Sequence, residues 1–138
     1  MQVPPKGRAR DAYDYISPDG AEIRLILRPE VEGVSNHSLC EARFAPGQVS
    51  RATRHRTVEE SWYVLDGEAD VWRRAPSAGA STVTHVSPGD ALNIPAGFTF
   101  QVRVTGSRQL RLLCSNAPAW PGPDEAIAEA GGFGEPSR

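Results

Sequence analysis

Between Tyr13 and Cys114 no apolar run goes far before a turn signal stops it. The run 23–27 lies between Pro18-Asp19-Gly20 and Arg28-Pro29, and the run 39–44 ends at Ala45-Pro46-Gly47. The run 61–65 stops at Asp66-Gly67, 69–73 leads into a segment of Ala, Pro, Ser and Gly, and 83–86 ends at Ser87-Pro88-Gly89-Asp90. Runs 91–94, 98–104 and 110–114 follow. All are rich in Val, Ile, Leu and aromatic residues, which suit pleated strands, while Gly, Pro and Asp punctuate them. Short strands at this spacing predict an all-β sandwich or barrel. Nothing before residue 115 reads as a core helix, and the one helix-like segment is 123–130, opened by Pro123-Asp124 and stopped by Gly131-Gly132.

At 138 residues and 14.9 kDa the chain suffices for one core and not for two. Residues 1–12 are polar and carry Pro4, Pro5 and Gly7, which reads as an N-terminal arm. The domain proper is expected over 13–122. The remainder, 123–138, is expected to be a short helix or turn followed by a loose tail. A net charge of −2 gives no reason to expect nucleic acid or an anionic membrane as partner. Neither a leader-type apolar region nor a run of membrane-spanning length is present, so a cytoplasmic location is expected. Cys40 and Cys114 could in principle pair. Both lie in apolar strand-like runs, where buried thiols acting as small hydrophobes are the simpler expectation.

Alternation assigns the side chains to faces, because residues i and i+2 of a strand point the same way, about 7 Å apart. Thr53 and His55 share one face, and Glu60, Trp62 and Val64 share another. If these two strands are neighbours, His55 and Glu60 can converge on one interior site. Phe98, Phe100, Val102 and Val104 form an apolar face with Gln101 and Arg103 opposite. Glu59, Arg54 and Arg56 alternate outward. His37 and His85 read as ordinary surface or core histidines.

Two spacings in this pattern resemble the cupin superfamily. Gly47 is followed by five residues, Thr53-Arg54-His55, four residues, Glu60, six residues and Gly67. Gly89 is followed by five residues, Pro95-Ala96-Gly97, two residues, Phe100, three residues and Val104. These are similar to the two cupin motifs, with the glycines and the proline at full spacing. The resemblance covers roughly residues 20–120 and implies a double-stranded β-helix, or jelly-roll, cupin barrel. The stretches 56–72, 100–103 and 118–125 also look like a set of uncharacterised small single-domain bacterial cupins. A homodimer is what the resemblance implies for a barrel this small.

In metal-binding cupins the motif positions that correspond to Thr53, His55, Glu60 and Phe100 hold a divalent cation. Phe100 cannot ligate, Thr53 is a poor ligand, and two ligands leave most of the coordination shell to water. No resident metal is therefore expected; if a divalent metal does bind, His55 and Glu60 are its ligands. Without metal the pair retains chemistry. Histidine titrates near neutrality, and a neighbouring carboxyl can orient it, which is the minimum equipment for general acid–base work. The expected function is small-molecule binding with metal-independent acid–base catalysis, of an isomerisation, cyclisation, dehydration or decarboxylation. His55 and Glu60 are the candidate catalytic residues, and Thr53, Trp62 and Phe100 line the ligand pocket. Two other readings stay open: a metal-dependent oxygenase or isomerase with a reduced ligand set, and a non-catalytic sensor or ligand-binding module.

Overall fold

A computed structural model describes residues 2–77 and 79–137. The described residues form eleven strands in order: β1 Tyr15–Ile16, β2 Glu22–Leu27, β3 Ser38–Phe44, β4 Thr53–His55, β5 Glu59–Asp66, β6 Glu68–Arg74, β7 Ser81–Val86, β8 Ala91–Ile94, β9 Thr99–Thr105, β10 Leu110–Ala117 and β11 Ala126–Ala128. They assemble into a six-stranded sheet, β1-β2-β3-β10-β5-β8, and a five-stranded sheet, β11-β4-β9-β6-β7. Every strand pairing is antiparallel. The two sheets face each other as a jelly-roll barrel.

The period-two pattern explains the sheets. In β5 the even positions Glu60, Trp62 and Val64 are buried while Glu59, Ser61, Tyr63 and Leu65 are exposed. In β10 the buried positions are Leu110, Leu112, Cys114 and Asn116. Phe44, Val64, Val71, Phe100, Val102, Val104, Leu110 and Leu112 form the common core between the sheets. Burying a side chain of this size stabilises the fold by about 1.5–3 kcal/mol. The β5–β6 hairpin depends on Gly67, which has φ +81° and lies so close to Gln109 O and Leu110 Cα that any Cβ would collide with them.

Three expectations are corrected. First, β4 and β5 are not neighbours in a sheet: β4 pairs with β9 and β11, whereas β5 pairs with β10 and β8. Their inward side chains meet across the barrel interior instead. Second, the helix-like stretch is helical for only one 3-10 turn, Pro123–Glu125, after which the chain becomes β11 and adds to the edge of β4. The open edge of N–H and C=O groups on β4 is the stronger attractor there than a solitary helix turn. Third, the tail expected to be loose packs along the five-stranded sheet. Gln101 Nε2 donates to Gly134 O (2.8 Å), Phe133 N to Gln101 Oε1 (2.8 Å), and Ser137 N to Val49 O (2.9 Å). This cover explains why Gln101, on the outward face of β9, is fully buried.

The arm 2–12 contains no helix or strand. Arg24 of β2 holds it by donating from Nε to Arg10 O (3.0 Å) and from Nη2 to Asp11 O (2.8 Å). No helix among the described residues is long and apolar enough to cross a membrane.

Candidate functional site

The antiparallel registers stack the inward side chains in rows. Across the six-stranded sheet one row runs Ser38, Asn116, Glu60, Ile94, and the next runs Leu25, Cys40, Cys114, Trp62, Leu92. From the other sheet Thr53 lies opposite Phe100, and His55 opposite Ala126. Between these rows is a cavity of about 50 Å³, room for a few waters or a small organic molecule. Thr53, His55, Glu60, Trp62 and Phe100 all line it. The geometry thus brings together all five residues singled out from the sequence.

The polar groups in this space are incompletely satisfied. His55 Nδ1 lies 3.9 Å from Glu60 Oε2, too far for a hydrogen bond, and has no other partner although it is buried. The imidazole is held by edge contacts to Phe100 and Trp120, with ring centroids 5.2 and 5.0 Å away. Glu60 Oε1 accepts a hydrogen bond from the Trp62 indole N–H. Asn116 Oδ1 is likewise buried and unpartnered, while its Nδ2 donates weakly to Ser38 Oγ at 3.5 Å. Thr53 Oγ1 is already committed to Arg51 O (3.1 Å).

Burial sets the protonation states. Desolvation pushes the His55 imidazole down to about 4, with the nearby Glu125 carboxylate pulling it only partly back. Desolvation also pushes the Glu60 carboxyl up to about 7, against the lowering effect of the Trp62 hydrogen bond and with a further push from Asp19. Near neutral pH the contact is therefore not an ion pair. It is a neutral imidazole beside a carboxyl at the midpoint of its titration.

Four further residues belong to the site and were not singled out from the sequence. Asn116 was missed because the run read as a strand ended at Cys114, though its i+2 spacing from Cys114 and Leu112 puts it on the inward face. Trp120 closes one end against His55. Tyr15 and Asp19 line the cavity from the segment before β2. Asp19 is fixed by accepting the Ala21 N–H (3.4 Å) and by Arg51 N–H donating to its backbone oxygen (2.9 Å). Burial raises the carboxyl of Asp19. Glu125 stands just behind the site: it accepts from Thr57 N (2.6 Å), Thr57 Oγ1 (2.8 Å) and Val58 N (2.7 Å), fixing the β4–β5 loop. Nothing in the spacing of the sequence links Glu125 to that loop.

The residues present do not fit a resident divalent cation. The four motif positions offer one imidazole and one carboxyl, because Thr53 Oγ1 is spent on the backbone and Phe100 has no donor atom. Among the described residues no group of three or more His, Cys, Asp or Glu side chains is placed to hold a metal ion.

Two facing antiparallel sheets around an interior cavity define a small jelly-roll barrel with its site inside. The profile of the Cupin domain family matches residues 40–116, and the chain belongs to that family. The chain is 29% identical over 119 residues to Uncharacterized protein MJ1618 of Methanocaldococcus jannaschii, spanning 83% of this chain and 87% of that one. Among solved structures it is similar to the oxalate decarboxylase of Bacillus subtilis (TM-score 0.76, 17% identity, 93% of this chain). It is also similar to the Lactobacillus farciminis oxalate decarboxylase formate complex (TM-score 0.67, 20% identity, 89% of this chain). The chain spans 33% of the length of each of these two structures. At that identity the likeness speaks for the fold.

Proposed function

We propose that this cupin binds a small organic molecule in the barrel and carries out acid–base chemistry on it without a metal, with His55 and Glu60 as the proton-handling pair. The observation that carries the reading is the buried, unpartnered His55 Nδ1 facing Glu60 Oε2 across 3.9 Å in the cavity. A buried polar atom left without a partner costs about 1–3 kcal/mol, a cost that a ligand group hydrogen-bonded to it removes. A neutral imidazole can take a proton from a bound hydroxyl, amine or activated carbon. A carboxyl that titrates near 7 can deliver one to a leaving or carbonyl oxygen. Isomerisation, cyclisation, dehydration and decarboxylation all consist of such paired transfers. Trp62 and Phe100, 5.3 Å apart and edge to face, form an apolar wall that excludes water. Thr53 shapes the wall beside Phe100.

The oxalate decarboxylase likeness does not bring its substrate along, because among the described residues no Arg or Lys lines this cavity to hold a dianion. A second reading, ligand binding without turnover, uses the same groups and differs only in whether product forms. A homodimer in the cytoplasm completes the proposal. Its support is the two buried free thiols, which suit a reducing compartment, and the exposed Tyr63, Leu65 and Val83 on the sheet surfaces.

The test begins with untagged protein and elemental mass spectrometry before and after incubation with iron, zinc, nickel and manganese. Sub-stoichiometric metal throughout is expected. Near-stoichiometric metal that disappears in His55→Ala would overturn the metal-free reading.

A further inference from the structure

We propose that the ligand of this cavity is a small organic cation, a primary alkylammonium whose charged end sits among Glu60, His55 and Asn116 while its hydrocarbon body lies against Trp62 and Phe100. The inference rests on the cavity being the binding site and adds the charge and chemical class of the occupant.

The argument starts from which charges the lining offers. Two carboxyls, Asp19 and Glu60, line the cavity, and among the described residues neither Arg nor Lys does. Arg73, beside Phe100 in the register of the five-stranded sheet, directs its guanidinium elsewhere, to Asn93 O (2.9 Å) and Thr84 Oγ1 (3.1 Å). An anionic ligand would enter a low-dielectric space that holds only like charge, which costs far more than in water.

The second observation is independent of the carboxyls. His55 and Asn116 are only 6% and 4% exposed, and each leaves one buried atom without a partner, Nδ1 and Oδ1. The amide oxygen accepts, and so does Nδ1 in the imidazole tautomer that carries its proton on Nε2. An ammonium supplies three N–H donors and no acceptor, the complement of this set. His55 Nδ1 and Glu60 Oε2 cannot reach each other at 3.9 Å, but a donor group between them can serve both.

The third observation is the wall. Phe100 and Trp120 pack against the imidazole, Trp62 packs against Phe100, and Tyr15 also lines the cavity. Aromatic faces attract an organic cation and suit its alkyl body. An inorganic divalent cation, by contrast, needs more hard donors than this cavity presents. The size of the cavity restricts the occupant to a few non-hydrogen atoms.

The experiment compares propylamine, propan-1-ol and propionate at one pH near neutrality on the full-length protein. The readout is the Trp62 indole N–H resonance, which its hydrogen bond to Glu60 makes a direct reporter of the cavity. Propylamine is expected to bind at least about tenfold more tightly than propan-1-ol, and propionate not at all. Glu60→Gln should remove most of that preference. Asp19→Asn, which keeps an acceptor for the Ala21 N–H, should weaken propylamine several-fold without lowering the protein's thermal transition. If propan-1-ol or propionate binds as well as propylamine, the ammonium inference is overturned while the cavity remains the binding site. If none of the three shifts the Trp62 resonance, both this inference and the binding reading beneath it fail.

Discussion

His55 and Glu60 reach one another from opposite sheets, the imidazole from β4 and the carboxyl from β5, and stop 3.9 Å apart. The short loop that joins their strands crosses from one sheet to the other, so near neighbours in sequence face each other across the cavity.

Glu60 makes stability fall as pH rises. Its carboxyl goes from an ordinary 4.5 to about 7 on burial, so between these values the unfolded chain releases the proton first. The adverse contribution is absent below 4.5 and complete above 7, amounting to about 3 kcal/mol. Glu60→Gln should therefore be more stable than the parent at pH 8, with the difference shrinking at pH 5. Urea denaturation at the two values measures it, and a pH-independent difference would refute the buried-carboxyl assignment.

His55 acts in the opposite sense. Burial lowers it from 6.5 to about 4, so as pH falls through this window the unfolded chain takes up the proton first and stability is lost. His85, paired through Nδ1 with Asp70 (2.8 Å) and through Nε2 with Glu68 (2.9 Å), is raised by those hydrogen bonds. Imidazole NMR should show His85 titrating above 6.5 while His55 stays neutral to below pH 5. A His55 midpoint near 6.5 would contradict its burial.

Glu125 is the support for the loop between the two catalytic candidates. Burial alone would raise its carboxyl, but the N–H groups of Thr57 and Val58 and the Thr57 hydroxyl outweigh this and hold it low. Glu125→Ala leaves buried N–H groups without acceptors and should cost about 3 kcal/mol, with Glu125→Gln recovering part of the loss. A loss under about 1 kcal/mol in denaturant titration would show that the loop holds itself.

Cys40 and Cys114 stand directly opposite each other on β3 and β10 and are both free and buried. Hydrogen bonding to Cys40, together with burial, pushes the Cys114 thiol up and disfavours the reactive thiolate. A thiol reagent should leave both untouched in the native protein and modify both in denaturant. Rapid native labelling of either would show that the inner wall opens.

Much of the barrel was legible because strands such as β5 and β10 alternate with a period of two and the turns carry Gly, Pro and Asp. The inward set Thr53, His55, Glu60, Trp62 and Phe100 followed from alternation and motif spacing. The partners that complete the cavity did not. Asp19 and Tyr15 arrive from a segment with no regular pattern, and Asn116 sits beyond the apolar part of its strand. Trp120 and Glu125 fold back from a Pro-rich stretch whose destination is set by tertiary contacts. β11 was hidden because three residues carry too little periodicity to tell a strand from a helical turn.

The return of the chain end has a consequence for the order of assembly. β4 has only two partners, β9 and β11, and Val49, which precedes it, is bonded to Ser137. The strand that carries His55 therefore gains its β11 neighbour only after residues 126–128 have been made. During synthesis the six-stranded sheet, whose strands end at Ala117, can form first, with the wall that carries His55 settling later.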